Sequence, residues 1–181
     1  AQATIVTKKE LARIKNNGGM PNIARTRDFF KWSTDRSILM VDYDPEKGKP
    51  PMTGEAFLEA VYSVCPEIRD APHLLTPSAS TFIYKNSKKG AECLKGPGGW
   101  RLLVVVAHGS DIPRAGDTLF KRGWLAGFGN IVISKSGAML PRCKLLDASV
   151  FQPERLDFCG PPTMAPPLAQ KRPGPEVFNT E

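Results

Sequence analysis

The sequence is poor in the ligands that build soft-metal sites. It has only two histidines, His73 and His108, and four cysteines, Cys65, Cys93, Cys143 and Cys159, none of them in a Cys-x-x-Cys pair. That spacing excludes a zinc framework. It excludes a disulfide scaffold as well, so a reducing cytoplasm is the expected compartment. No apolar run is long enough to cross a membrane, no charged-then-apolar signal segment opens the chain, and no internal repeat is present. Acid is scarcer than base: 18 Asp and Glu stand against 25 Lys and Arg, a net charge of +7. This excess points to an acidic partner, nucleic acid being the commonest, although it also serves solubility alone. The hydrophobic share of 41% over 181 residues suits one domain, residues 1–181, with a core of ordinary size. The chain opens on Ala1 and closes on a Pro-rich stretch, and we expect it to be part of a longer protein.

The local patterns predict an α+β domain with a mixed or antiparallel sheet. "TIVTKKELARIK" (4–15) carries a Thr7–Glu10 capping box ahead of a short helix that "NNGG" (16–19) ends. "TGEAFLEAVYSV" (53–64) has apolar residues at helical spacing, with Thr53 as N-cap. A second helix is predicted over 113–126, with Pro113 in its first turn. "WRLLVVV" (100–106) is the strongest strand signal. "HLLTPSAST" (73–81) reads as a strand running into a Ser/Thr-rich loop, and "NIVIS" (130–134) and "CKLLDASVF" (143–151) as two more strands. "YKNSKKGAECLKGPGG" is expected to be a long, mobile polar connection. From Pro153 onward the chain is expected to run over the surface.

The chemistry concentrates in "ILMVDYDP" (38–45). Its apolar run reads as a strand buried on both faces, and along it Asp42 and Asp44 point to one side and Tyr43 to the other. Two such anions at the mouth of a core repel unless a cation lies between them, and a hard divalent ion with oxygen ligands resolves this. Asp147 interrupts the apolar "KLLDASVF", where a carboxylate without a cation is costly. Three acids on adjacent strands can hold two metal ions and polarise a nucleoside triphosphate.

In this order the segments resemble the archaeo-eukaryotic primase superfamily, in particular the primase-polymerases of bacterial plasmids, phages and integrated elements. "ILMVDYDP" looks like the first motif of that family. "TPSAST" followed by "GPGGWRLLVVV" looks like the second, and "KLLDASVFQPERLDF" like the third. "WLAGFGNIVISKSGAMLPR" is similar to the run that precedes the third motif, and the resemblance spans residues 23–172. It implies a palm-like core resembling an RNA-recognition motif. It also implies two Mg²⁺ or Mn²⁺ ions on Asp42, Asp44 and Asp147, and primer or DNA synthesis from nucleoside triphosphates on a single-stranded DNA template. A fused or separate helicase and a bacterial, nucleoid-associated setting go with it. One departure is clear: Arg101 stands where the family usually has a phosphate-binding histidine. Its permanently charged planar fork suits phosphate oxygens, and it equally suits a catalytically weak member.

Other candidates are Ser78, Ser80 and Lys135 as phosphate contacts, each also at home in an ordinary polar turn. Arg142 is a partner for Asp147, and His108 a displaced functional histidine. Arg25, Arg27 and Lys31 beside Phe29, Phe30 and Trp32 suit a single-strand path, with charge on phosphates and Trp32 stacking on a base. Phe29 and Phe30 are instead expected to anchor the core.

Two rivals are weaker. An Asp-x-Asp phosphatase wants a small residue where this chain has Glu46, and a later adjacent acidic pair that is missing. A calcium loop would need Gly at Lys47 and Glu at Thr53. A non-catalytic nucleic-acid-binding module of the primase shape is the remaining alternative.

Overall fold

The computed structural model describes residues 2–14, 21–157 and 159–180. Eleven strands are present among them: β1 (Thr4–Val6), β2 (Asn22–Ala24), β3 (Ser37–Tyr43), β4 (His73–Pro77), β5 (Ile83–Ser87), β6 (Gly90–Lys95), β7 (Trp100–Val106), β8 (Gly129–Ile133), β9 (Met139–Cys143), β10 (Leu168–Gln170) and β11 (Glu176–Phe178). The helices are α1 (Lys8–Leu11), α2 (Gly54–Val64) and α3 (Ile112–Gly123), the last running into a π-type turn at Trp124–Phe128. The α+β expectation holds, with antiparallel sheets predominating.

The central sheet has the order β11-β4-β7-β3 and is antiparallel throughout. Since β3 and β4 both oppose β7, they run parallel to each other with β7 between them, and α2 makes the crossover. Alternation gives this sheet one inner face. Leu39, Val41 and Tyr43 of β3, Trp100, Leu102 and Val104 of β7, and Leu75 of β4 are buried there with Phe57 and Val61 of α2 and Ile112 and Leu119 of α3. Each such aliphatic or aromatic side chain contributes about 1.5–3 kcal/mol on burial. α2 starts where its cap dictates, with the Thr53 hydroxyl accepting the N–H of Ala56 at 3.1 Å. The capping box of α1 is complete as well, with the Thr7 N–H donating to Glu10 at 2.9 Å and the Glu10 N–H to Thr7 Oγ1 at 3.1 Å. The expected stop at Asn16–Gly19 lies outside the described residues.

Several expectations are corrected. β3 is buried on one face only: Ile38 is 54% exposed and Met40 half-buried, because α2 and α3 cover a single side of the sheet. The polar stretch after Phe82 forms the β5–β6 hairpin, joined by β10 into a three-stranded sheet. Its turn uses Gly90 at φ +121°, a backbone region closed to side-chain-bearing residues. "KLLDASVF" is no strand: β9 ends at Cys143, and Asp147 caps a short 3₁₀ turn over Ala148–Val150. The Pro-rich tail does run over the surface, yet it supplies β10 and β11 as edge strands.

Candidate active site at the acidic end of the central sheet

The outer face of the sheet is apolar at one end and charged at the other. Ile38 lies opposite Val105 and Met40 opposite Leu103, and then Asp42 lies opposite Arg101, with Thr76 of β4 on the far side of the arginine. Trp100 and Leu102, beside Arg101 in sequence, turn to the inner face and are buried. The carbonyl of Asp42 accepts the N–H of Asp147 at 2.8 Å. It therefore points away from β7, which makes Asp42 and Arg101 a non-hydrogen-bonded cross-strand pair, the type whose side chains approach most closely. Their ion pair is 3.3 Å long, Arg101 Nε to Asp42 Oδ1.

The same Asp147–Asp42 backbone bond draws the third acid to the edge of β3. Asp147 Oδ1 accepts the Ser149 N–H at 2.9 Å and Oδ2 the Ser149 hydroxyl at 2.6 Å, which fixes the carboxylate at the head of the 3₁₀ turn. Arg155 stands 3.9 Å from Asp147 Oδ2. Asp44, one step past β3, is exposed. Together with Asp147, Arg142 and Lys144 it lines a cavity of about 190 Å³. Gly99 brings the loop before β7 against this end of β3. A Cβ there would lie 2.5 Å from the Tyr43 carbonyl oxygen and 3.0 Å from Asp44 Oδ1.

Burial pushes the Asp42 carboxyl above its ordinary value, and the Asp44 anion adds to this. Arg101 opposes the rise by charge and by hydrogen bond, and Asp147 adds a smaller push upward. Asp42 is thus within electrostatic reach of both other acids and of Arg101.

A fourth carboxylate belongs to the cluster. Asp157 Oδ1 is buried and lies 2.5 Å from Arg101 Nη1, a close charge contact without hydrogen-bond alignment, so the one guanidinium stands between Asp42 and Asp157. Asp157 also accepts the Cys159 thiol at 2.7 Å. The segment that carries it is tied down by neighbours, Glu154 to Arg27 at 3.5 Å and Arg155 to Asp147. Asp157 lies in the "PERLDF" run but is not among the sequence candidates. The signal was present as a carboxylate two residues beyond an arginine in the segment after the third acid.

The remaining sequence candidates divide. Ser78 is brought near the acids, its N–H donating to the Gly99 carbonyl at 2.9 Å. Ser80 is exposed and accepts Lys95 Nζ at 3.0 Å. Lys135 sits in the β8–β9 turn, roughly 15 Å along the ladder from the Arg142 end that lines the cavity. Arg142 lines the cavity, but the ion-pair partner of Asp147 is Arg155. His108 lies past the opposite end of β7, its Nδ1 against the Thr34 carbonyl at 2.8 Å. Arg25 is exposed, and Arg27 is engaged with Glu154. Trp32 is not a free stacking surface: the ring is half-buried against the core, and its buried Nε1 has no hydrogen-bond partner among the described residues. Phe29, expected as a core anchor, is 45% exposed.

No family model, curated protein or solved structure matches this chain. Among the described residues, no group of three His, Cys, Asp or Glu side chains is arranged to hold a metal ion. The donor chemistry nevertheless suits hard divalent cations. Asp42, Asp44 and Asp147 offer carboxylate oxygen only, and burial, with Asp44 beside it, raises the Asp42 carboxyl.

Proposed function

We propose that this chain is the catalytic domain of a primase-polymerase, a nucleotidyltransferase acting on single-stranded DNA in the replication of a bacterial mobile element. The observation that carries the reading is the backbone bond between Asp147 and Asp42, which gathers acids from opposite halves of the chain beside Asp44. The split β3-α2-β4 crossover around β7, followed by α3, supports a core resembling an RNA-recognition motif. The net charge of +7 is in keeping with a nucleic-acid template.

In this reading Asp42, Asp44 and Asp147 hold two Mg²⁺ or Mn²⁺ ions, which supply charge for the triphosphate and lower the pKa of the attacking 3′-hydroxyl. Arg101 binds triphosphate oxygens through its fork, and Ser78 is the nearer of the two serines to that anion. Arg142 and Lys144, on the cavity wall, attract the phosphates or the template backbone. The setting is a bacterial cytoplasm, with a helicase as fused or separate partner.

A second reading draws on Arg101 itself. With Asp42 and Asp157 already on its guanidinium, the same fold serves as a nucleic-acid-binding module without catalysis. Primer synthesis on a single-stranded template, with labelled nucleotides in Mg²⁺ and in Mn²⁺, separates the two. Labelled product that disappears in Asp42→Asn supports the enzyme. Template binding without product supports the module.

A further inference from the structure

We infer that Arg101 is a built-in counter-cation of the acidic cluster, held there by Asp157, and that a triphosphate and a divalent metal ion enter the site in mutual support by displacing it. This deepens the reading above and rests on its assignment of Asp42 to metal and Arg101 to phosphate.

The argument begins with the two ion pairs. Arg101 Nε faces Asp42 at 3.3 Å and Nη1 faces Asp157 at 2.5 Å, in a side chain only 14% exposed. Asp42 is contributed by the neighbouring strand and Asp157 by the segment after the 3₁₀ turn, so the fork spans two separate parts of the chain. A guanidinium is a strong partner for carboxylate and for phosphate through the same donors. A triphosphate therefore competes with Asp157 for Nη1 and with Asp42 for Nε. Asp42 in turn has Asp147 bonded to its backbone carbonyl at 2.8 Å, and Asp44, two positions on, lines one cavity with Asp147. Once the arginine is drawn away, Asp42 is left as a desolvated anion among like charges, the state that most favours a divalent cation. Anion on Arg101 and cation on Asp42 thus favour each other, and the coupling is reciprocal. Without nucleotide, the arginine holds the acids neutralised and keeps metal affinity low.

Asp157 is a positioning residue in this scheme. It touches neither metal nor substrate, and it sets how firmly Arg101 is retained. A histidine at position 101 would have a shorter reach and no fork to span both acids, so the device depends on the residue by which this chain departs from the family it resembles.

Binding measurements without turnover test the inference, using Mn²⁺ alone and, separately, a non-hydrolysable nucleoside triphosphate in metal-free buffer. Arg101→Gln should bind Mn²⁺ at least tenfold more tightly than the wild type. Asp157→Asn should bind the metal-free triphosphate several-fold more tightly, and Arg101→Gln more weakly. If Arg101→Gln does not fold, the charge-neutral double variant Arg101→Gln/Asp157→Asn replaces it and should also exceed the wild type in Mn²⁺ affinity. Mn²⁺ affinity equal to or below wild type in the folded variant overturns the inference, as does unchanged triphosphate affinity in Asp157→Asn. Primer synthesis by the wild type is read independently. Tighter Mn²⁺ binding without primer synthesis keeps the counter-cation and removes nucleotidyl transfer, and primer synthesis with unchanged Mn²⁺ affinities does the reverse.

Discussion

Asp42 and Arg101 face each other across β3 and β7 with Oδ1 and Nε 3.3 Å apart, at the acidic end of the central sheet. Removing either partner of a part-buried ion pair leaves the other exposed to its remaining neighbours. Those neighbours differ. Arg101 keeps Asp157, whereas Asp42 keeps the like charges of Asp44 and Asp147.

Asp42→Asn and Asp44→Asn should therefore each abolish most nucleotidyl transfer while leaving the fold intact. Loss of even an outer-shell partner of a metal ligand costs about 10–100-fold, and loss of a ligand itself should cost at least that. Labelled primer extension, set beside an unchanged circular-dichroism spectrum, checks both. Near-wild-type extension by both variants would refute the two-metal assignment.

Thermal stability of Asp42→Asn should move the other way. The folded-state pKa of Asp42 is raised above its unfolded value of 3.8, chiefly by burial and then by Asp44. Between those two values the folded chain binds more protons than the unfolded one, so stability falls as pH rises through that window. Above it, the ionised side chain is a standing cost that Asn avoids. In metal-free buffer the variant should melt higher than wild type at pH 7, by roughly 2–4 °C per kcal/mol relieved. The gap should close as pH falls toward 3.8. A variant that melts lower at pH 7 would show that the Arg101 contact outweighs the repulsion.

The parts of this fold legible in the sequence are those governed by apolar periodicity and local caps. "WRLLVVV" is a strand with the predicted bounds, and Thr7 and Thr53 cap helices where expected. The β5–β6 hairpin was not legible, because neither face carries an apolar stripe: Asn86, Glu92 and Lys95 are exposed. It is paired with β10, a distant segment that no local window contains. The apolar pattern around Asp147 predicts a strand, since those residues are buried whether the chain is extended or, as found, turned. Asp157 is not legible in the sequence because its contact is with Arg101, from a different part of the chain.

Gly99→Ala probes how closely the loop before β7 must approach the acids. The new methyl would meet the Tyr43 carbonyl at 2.5 Å and Asp44 Oδ1 at 3.0 Å, and the former is backbone that cannot swing aside. Overpacking of this kind costs about 1–3 kcal/mol. The displacement falls on Asp44, so activity and metal affinity should fall by more than the loss in melting temperature alone accounts for. Full activity in a variant that melts normally would show that Asp44 has no fixed role.

Binding of single-stranded DNA should weaken steeply with salt as Lys and Arg contacts release counterions, and Arg25→Ala should lower the log–log salt slope by about 1 if that exposed side chain meets a phosphate. Trp32 calls for a different expectation from the one its neighbours in sequence gave it. Its ring is packed against the core, so Trp32→Ala should act on stability, at about 2 kcal/mol, less than the roughly 3–5 of a fully buried ring. Trp32→Phe keeps most of that packing and removes an indole N–H that is buried without a partner among the described residues. An unmatched buried donor carries a desolvation cost of about 1–3 kcal/mol, so this variant should melt at or above the wild-type temperature with DNA affinity unchanged. Fluorescence-anisotropy titrations across a salt series, paired with thermal melts, measure both effects. If Trp32→Phe weakens DNA binding severalfold at unchanged stability, the indole meets a base after all, and the ring must leave its packed position when the strand binds.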